Sequence, residues 1–101
     1  MSGSSDRLII ILDETIKLLR RYEVSHWAKW LSNDLSQIRQ SNTKGLDHLL
    51  STFGGMGSFN DLWVCPENGH KVDSSDVRQV NAELQNLSSE IYKLATELKS
   101  R

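Results

Sequence analysis

The sequence predicts a mainly α-helical fold, a compact bundle of three or four helices, and two observations support this. Apolar residues recur every three or four positions over long stretches, which is the spacing of one helix face. The 101 residues are 38% hydrophobic and 25% charged, which suits one small globular domain over residues 1–101. We expect a glycine-rich loop and a short β-hairpin before a long last helix.

The first predicted helix covers about residues 5–22, after an N-terminus, residues 1–5, that we expect to be unstructured. Asp6 suits the positive end of this helix. Its apolar residues at helical spacing are Leu8, Leu12, Ile16 and Leu19. Three neighbouring isoleucines, residues 9–11, widen the apolar surface and predict a central, buried helix.

The second predicted helix runs from Ser25 to about Gln40 and contains a carboxylate in its apolar stripe. The apolar residues that share one arc are Trp27, Trp30, Leu31, Leu35 and Ile38. Asp34 lies in the same arc, where it must be paired, protonated or at a wet edge, because an unpaired buried charge costs several kcal/mol. We interpret Asp34 as structural, since no second converging group is identifiable.

A short third helix is predicted from about Gly45 to Phe53, ending at the glycine-rich loop. The stretch 62–72 then reads as strand, turn and strand, which predicts a short hairpin or an extended loop. The last helix, about residues 75–99, can be capped by Asp73, Ser74 or Ser75. Its apolar seam consists of Val77, Val80, Leu84, Leu87, Ile91, Leu94 and Leu98. We expect this seam to pack mainly within the monomer, although part of it could serve a partner or a second copy.

Charge and cysteine content restrict the expected partners and compartment. Twelve Lys and Arg against 13 Asp and Glu give a net charge of −1, so we expect no nucleic acid partner. The single Cys65 cannot form an internal disulfide, which fits a reducing, cytoplasmic location. The longest apolar run, residues 8–12, is far shorter than the roughly 20 residues of a spanning helix, so no membrane association is expected.

The residues that could carry catalysis or bind a cofactor do not form a known motif. The glycine-rich run 54–58 lacks the Lys of a phosphate-binding loop, which predicts a turn and no nucleotide cofactor. The soft metal ligands are His26, His48, His70 and Cys65. They are too scattered for the clustered pairs of a zinc site, so no metal is expected. We therefore predict that the protein is not an enzyme.

A binding site is predicted in the segment that follows the glycines. Aromatic residues alternate there with acidic and amide side chains, a composition typical of a binding hot spot with a polar rim. The predicted partner-binding residues are Asn60, Asp61, Trp63 and Glu67. The alternative is that this segment only fastens the loop to the core, which we favour for Phe59 and Leu62.

The run 53–62, which contains GGMGSFNDL, resembles a small, uncharacterised bacterial family. Further similar residues are His26, Trp27, Ala28, Asn81, Leu84, Leu87, Ile91, Tyr92 and Ala95. Such proteins are often encoded in toxin–immunity neighbourhoods, including contact-dependent inhibition systems. The resemblance thus implies a cytosolic immunity protein that binds and neutralises a cognate toxin without catalysis, and it transfers no catalytic residue. The alternative is a homodimeric structural or regulatory module that uses the last helix.

Overall fold

The computed structural model describes residues 3–53 and 59–100, except for the side chains of residues 3, 4 and 60. The described part contains the helices α1 (Gly3–Arg21), α2 (Ser25–Arg39), α3 (Thr43–Ser51) and α4 (Val77–Lys99). Short 3-10 turns lie at Phe59–Asp61, Pro66–Asn68 and Ser74–Asp76. The mainly α-helical class with four helices is confirmed. No helix of this described part is both long and apolar enough to cross a membrane.

Helix α1 is central, because it packs against both α2 and α4. Leu8, Leu12 and Leu19 are fully buried between these neighbours, as the wide apolar surface of the sequence predicts. The helix already begins at Gly3, so residues 3–5 of the expected unstructured N-terminus are helical. Residues 1 and 2 lie outside the described residues.

Helices α2 and α3 approach each other closely across a short turn. Asn42 caps α3, since its side chain accepts a hydrogen bond from the backbone N–H of Lys44 at 3.0 Å. Gly45 lies inside α3 and is buried, where a Cβ atom would stand only 2.6 Å from Cβ of Gln37. Glycine is therefore needed at this position because no side chain fits between the two helices.

The predicted hairpin over residues 62–72 is wrong, because other groups occupy its backbone. The N–H and C=O of Val64 both bond the side chain of Asn81 on α4, each at 2.8 Å. The N–H of Lys71 donates to the C=O of Tyr22 at the end of α1, at 2.9 Å. The segment from 59 to 73 therefore contains turns and extended backbone, and no strand occurs among the described residues. The glycine-rich loop expected at 54–58 lies outside them.

Helix α4 buries most of its apolar seam against the rest of the monomer. Its buried residues are Val80, Asn81, Leu84, Ile91, Leu94 and Ala95. Leu87 and Leu98, by contrast, are only partly buried at the edge of the core. The helix begins at Val77 and not at 75, because Ser74–Asp76 forms a 3-10 turn, and neither Asp73 nor Asp76 makes a side-chain cap.

Replacing Leu84 and Leu87 separately with alanine should distinguish a buried position of the α4 seam from a position at the edge of the core. Leu84→Ala should lower the free energy of unfolding by about 2–5 kcal/mol, because Leu84 is buried and its removal leaves a cavity. Leu87→Ala should cost roughly half of that or less, because its side chain is already partly hydrated. Denaturant unfolding of both variants measures the difference. An equal cost would mean that a second copy covers Leu87.

Candidate functional site

The most unusual group in the core is the carboxylate of Asp34. It lies in the middle of α2 with 0% of its surface exposed. Its Oδ1 is 2.5 Å from Nδ1 of His48, which extends from α3. Asp34 is therefore paired, one of the three arrangements that its position in the apolar stripe allows. Sequence reasoning did not identify His48 as the partner.

The pair with Asp34 fixes the orientation of the His48 ring. An ionised carboxylate can only accept hydrogen bonds, so Nδ1 of His48 carries the shared proton and donates it. Nε2 therefore lies on the opposite side of the imidazole ring from Asp34. The His48 side chain as a whole is 47% exposed. Burial raises the pKa of the Asp34 carboxyl, while the hydrogen bond and the charge of His48 act in the opposite direction.

Two buried polar atoms here, one in Asp34 and one in Trp30, have no hydrogen-bond partner among the described residues. They are the second carboxylate oxygen, Oδ2 of Asp34, and the indole Nε1 of Trp30. Trp30 precedes Asp34 by four residues, so both side chains lie on the same face of α2. Buried polar atoms are nearly always hydrogen-bonded, and an unsatisfied donor and acceptor on one face therefore mark a candidate site.

Four aromatic rings surround this site and form a continuous surface, which we call the aromatic face: His26, Trp27, Trp30 and His48. The rings of Trp30 and His48 stack with centroids 4.4 Å apart and an interplanar angle of 16°. Trp27 lies 5.5 Å from Trp30 and 5.1 Å from His26. His26 and His48 are exposed and both tryptophans are half-buried, so the aromatic face is partly open to solvent.

Three of the four predicted partner-binding residues have described side chains, and all three are at the surface. Asp61 and Glu67 are exposed, and Trp63 is 45% exposed, which is unusual for so large an aromatic residue. The side chain of Asn60 lies outside the described residues. Phe59 is buried, as favoured from the sequence.

The segment that carries these residues is fixed to α4 by Asn81, which sequence reasoning missed. Asn81 is buried, and its side chain makes three hydrogen bonds of 2.8 Å, two to Val64 and one to the C=O of Val77. The signal that could have identified Asn81 is its position in the sequence. An amide directly beside the apolar seam, one residue after Val80, needs buried partners.

The remaining histidine, His70, and Cys65 form a hydrogen bond within a turn. The N–H of Cys65 donates to Nδ1 of His70 at 3.3 Å, and the thiol side of Cys65 is buried. Within residues 3–53 and 59–100, no three His, Cys, Asp or Glu side chains are grouped to hold a metal ion. In the same part of the chain, the ring of His48 bonds Asp34 and no hydroxyl or thiol. The Asp34–His48 pair thus orients an imidazole but activates no described nucleophile.

The family model for a domain of unknown function (DUF6966) matches residues 20–73. This range is more than half of the chain, and the chain therefore belongs to that family. The matched range contains α2, α3, the Asp34–His48 pair and Trp63. No curated protein and no solved structure matches the chain.

Replacing Asp34 with Asn tests how burial affects this carboxyl. Because the pKa of Asp34 is raised in the folded protein, protonation favours the folded state. The wild type should therefore gain stability relative to Asp34→Asn as the pH falls from about 7 to about 4, by about 1.4 kcal/mol per unit of pKa elevation. The gain should be complete below the unfolded pKa and lost as the pH rises through the folded pKa.

Unfolding curves measured over this pH range, with the same series for Asp47→Asn, isolate the effect of burial. Asp47 is an exposed carboxylate on the neighbouring helix, α3. A stability difference between wild type and Asp34→Asn that does not change with pH would contradict a raised pKa.

Proposed function

We propose that this member of the DUF6966 family is an immunity protein that binds a basic protein toxin in the bacterial cytoplasm and neutralises it without catalysis. The observation that carries the proposal is the exposed Trp63, which lies between two exposed acidic residues in the sequence, on a fixed segment of backbone. Tryptophan is the residue type most enriched at the centres of protein interfaces. The GGMGSFNDL resemblance supports the choice of an immunity protein among protein-binding functions.

The backbone around Trp63 is restrained by hydrogen bonds on both sides. The N–H and C=O of Val64 are held by Asn81, and the C=O of Trp63 accepts a hydrogen bond of 2.9 Å from Nδ2 of Asn68. The N–H of Lys71 bonds the end of α1. A surface fixed before binding loses less conformational entropy in the complex, so this segment suits tight recognition.

The charges beside Trp63 indicate the chemistry of the partner. Asp61 and Glu67 flank it in the sequence, and both side chains are exposed. Toxins that cleave nucleic acids need Lys and Arg to bind phosphates, so their working surface is basic. Acidic groups around an aromatic anchor complement such a surface and accelerate association, most strongly at low salt.

One observation favours the alternative, a homodimeric module joined through α4. Tyr92 is 51% exposed on α4, and its ring contacts that of Phe53 at 5.4 Å. An exposed aromatic residue on a long helix could meet the same residue of a second copy. The sedimentation of the wild-type protein over a range of concentrations distinguishes the two functions, because the proposal predicts a monomer.

Binding of the candidate toxin tests the proposal through two matched aromatic residues. The upstream gene is the place to look for a candidate toxin, and a large secreted protein with a variable C-terminal domain encoded there would supply it. Trp63→Ala should weaken binding at least about tenfold, because a central aromatic anchor contributes about 2 kcal/mol or more. Tyr92→Ala, which removes an equally exposed aromatic side chain from α4, should bind like the wild type.

The same titrations with Asp61→Asn and Glu67→Gln test the acidic rim. Both variants should lose affinity, and the loss should be larger in low salt than in moderate salt. Thermal melts confirm that each variant is folded. Wild-type binding by folded Trp63→Ala, or loss of binding in Tyr92→Ala alone, would contradict the proposed surface.

A further inference from the structure

The aromatic face offers several ring surfaces to solvent in one place. Its four rings come from α2 and α3, and adjacent rings have centroids between 4.4 and 6.1 Å apart. Two of them are tryptophans that are only half-buried. The face of an aromatic ring carries partial negative charge, and tryptophan attracts cations most strongly of all aromatic side chains.

A buried carboxylate lies at the edge of one of these rings, that of His48. The carboxylate of Asp34 bonds His48, and the His48 ring stacks on Trp30, so the charge borders the stack. Only one of its two oxygens has a partner, because Oδ2 bonds nothing among the described residues. The interior around Asp34 has a lower dielectric constant than water, so the field of the carboxylate reaches the surface with less screening.

The hydrogen bond to Asp34 also changes the imidazole. When Nδ1 of His48 donates to an ionised carboxylate, the ring becomes more electron-rich. An electron-rich imidazole stacked on an indole attracts positive charge more strongly than either ring alone. The chemical group that fits this surface is therefore a cation with an extended, weakly hydrated face, which describes the guanidinium of arginine better than the ammonium of lysine.

We propose that the aromatic face is a binding site for an arginine side chain of the partner protein, with Asp34 supplying the attracting charge from the buried edge of the His48 ring. This inference rests on the proposed function, which requires a basic partner. The site is continuous with the predicted partner-binding segment, because the ring of Trp27 lies 5.4 Å from that of Phe59, where the segment begins. A partner that contacts both regions would meet two aromatic anchors, the aromatic face and Trp63.

A pair of small probes tests this site without any toxin. The probes are N-acetyl-arginine methylamide and its neutral isostere, N-acetyl-citrulline methylamide, titrated into the ¹⁵N-labelled protein at about pH 7.5, above the ordinary pKa of histidine. The three tryptophans, Trp27, Trp30 and Trp63, give three indole N–H signals. The variant Trp63→Phe identifies the signal of Trp63. The arginine probe should shift the signals of Trp27 and Trp30 in a saturable way, and the citrulline probe should not.

Two carboxylate variants then test whether Asp34 supplies the attraction. Asp34→Asn should bind the arginine probe about three- to tenfold more weakly, because the attracting charge is lost. Asp47→Asn removes a carboxylate from α3, next to His48, and should bind the probe like the wild type, because the Asp47 side chain is exposed and already bonded to Lys99. If Asp34→Asn does not fold, the comparison of the two probes on the wild type still decides whether the aromatic face requires a positive charge on its ligand.

Several outcomes would overturn this assignment. Equal shifts from arginine and citrulline probes would show that the charge is irrelevant, and shifts confined to Trp63 would place the cation elsewhere. Tighter binding of tetramethylammonium than of the arginine probe would exclude a guanidinium site. Failure of the probe titration leaves toxin binding through Trp63 intact, whereas failure of toxin binding leaves the probe titration unchanged, so the two proposals fail separately.

Discussion

The contact between Asp34 and His48 is the constraint on which the arrangement of α2 and α3 depends. A carboxylate buried in an apolar stripe is costly unless it is paired, so α3 must place an imidazole against it. Gly45 makes this possible, because the absence of a side chain lets α3 approach α2 within the reach of the short Asp34 side chain. The position of α3 in turn determines where the aromatic face is built, since His48 stacks on Trp30.

A second polar contact has the same role for the segment from 59 to 73. Asn81 satisfies the backbone of Val64 from inside the α4 seam, and this holds the segment from 59 to 73 against the helices without a partner strand. Both contacts use buried polar groups with few alternative partners, which makes them specific as well as stabilising. Between them, Phe59 joins the aromatic face to the segment that presents Trp63.

The sequence predicts the parts of this structure that depend on local periodicity. Apolar residues spaced three and four positions apart predict helices α1 and α4. The same residues predict which face of each helix is buried. The position of Asp34 marks it as unusual, but its partner is 14 residues away on another helix, and no local pattern connects them. The hairpin prediction fails for a similar reason, because strand-like residues at 62–65 meet the side chain of Asn81 and not a second strand. Contacts between polar residues that are far apart in the sequence depend on how the helices pack. The hydrophobic pattern along the chain does not specify that packing.

The central claim, that Asp34 and His48 hold α3 on α2, is tested most directly by a double-mutant cycle. The free energies of unfolding of the wild type, Asp34→Ala, His48→Ala and the double variant are measured at neutral pH. His48→Ala leaves the buried Asp34 carboxylate without its partner, and this cost disappears when Asp34 is removed as well. The double variant should therefore be more stable than the sum of the single effects predicts. The account predicts a coupling on the order of 1–3 kcal/mol. Single effects that add within about 0.5 kcal/mol would contradict it.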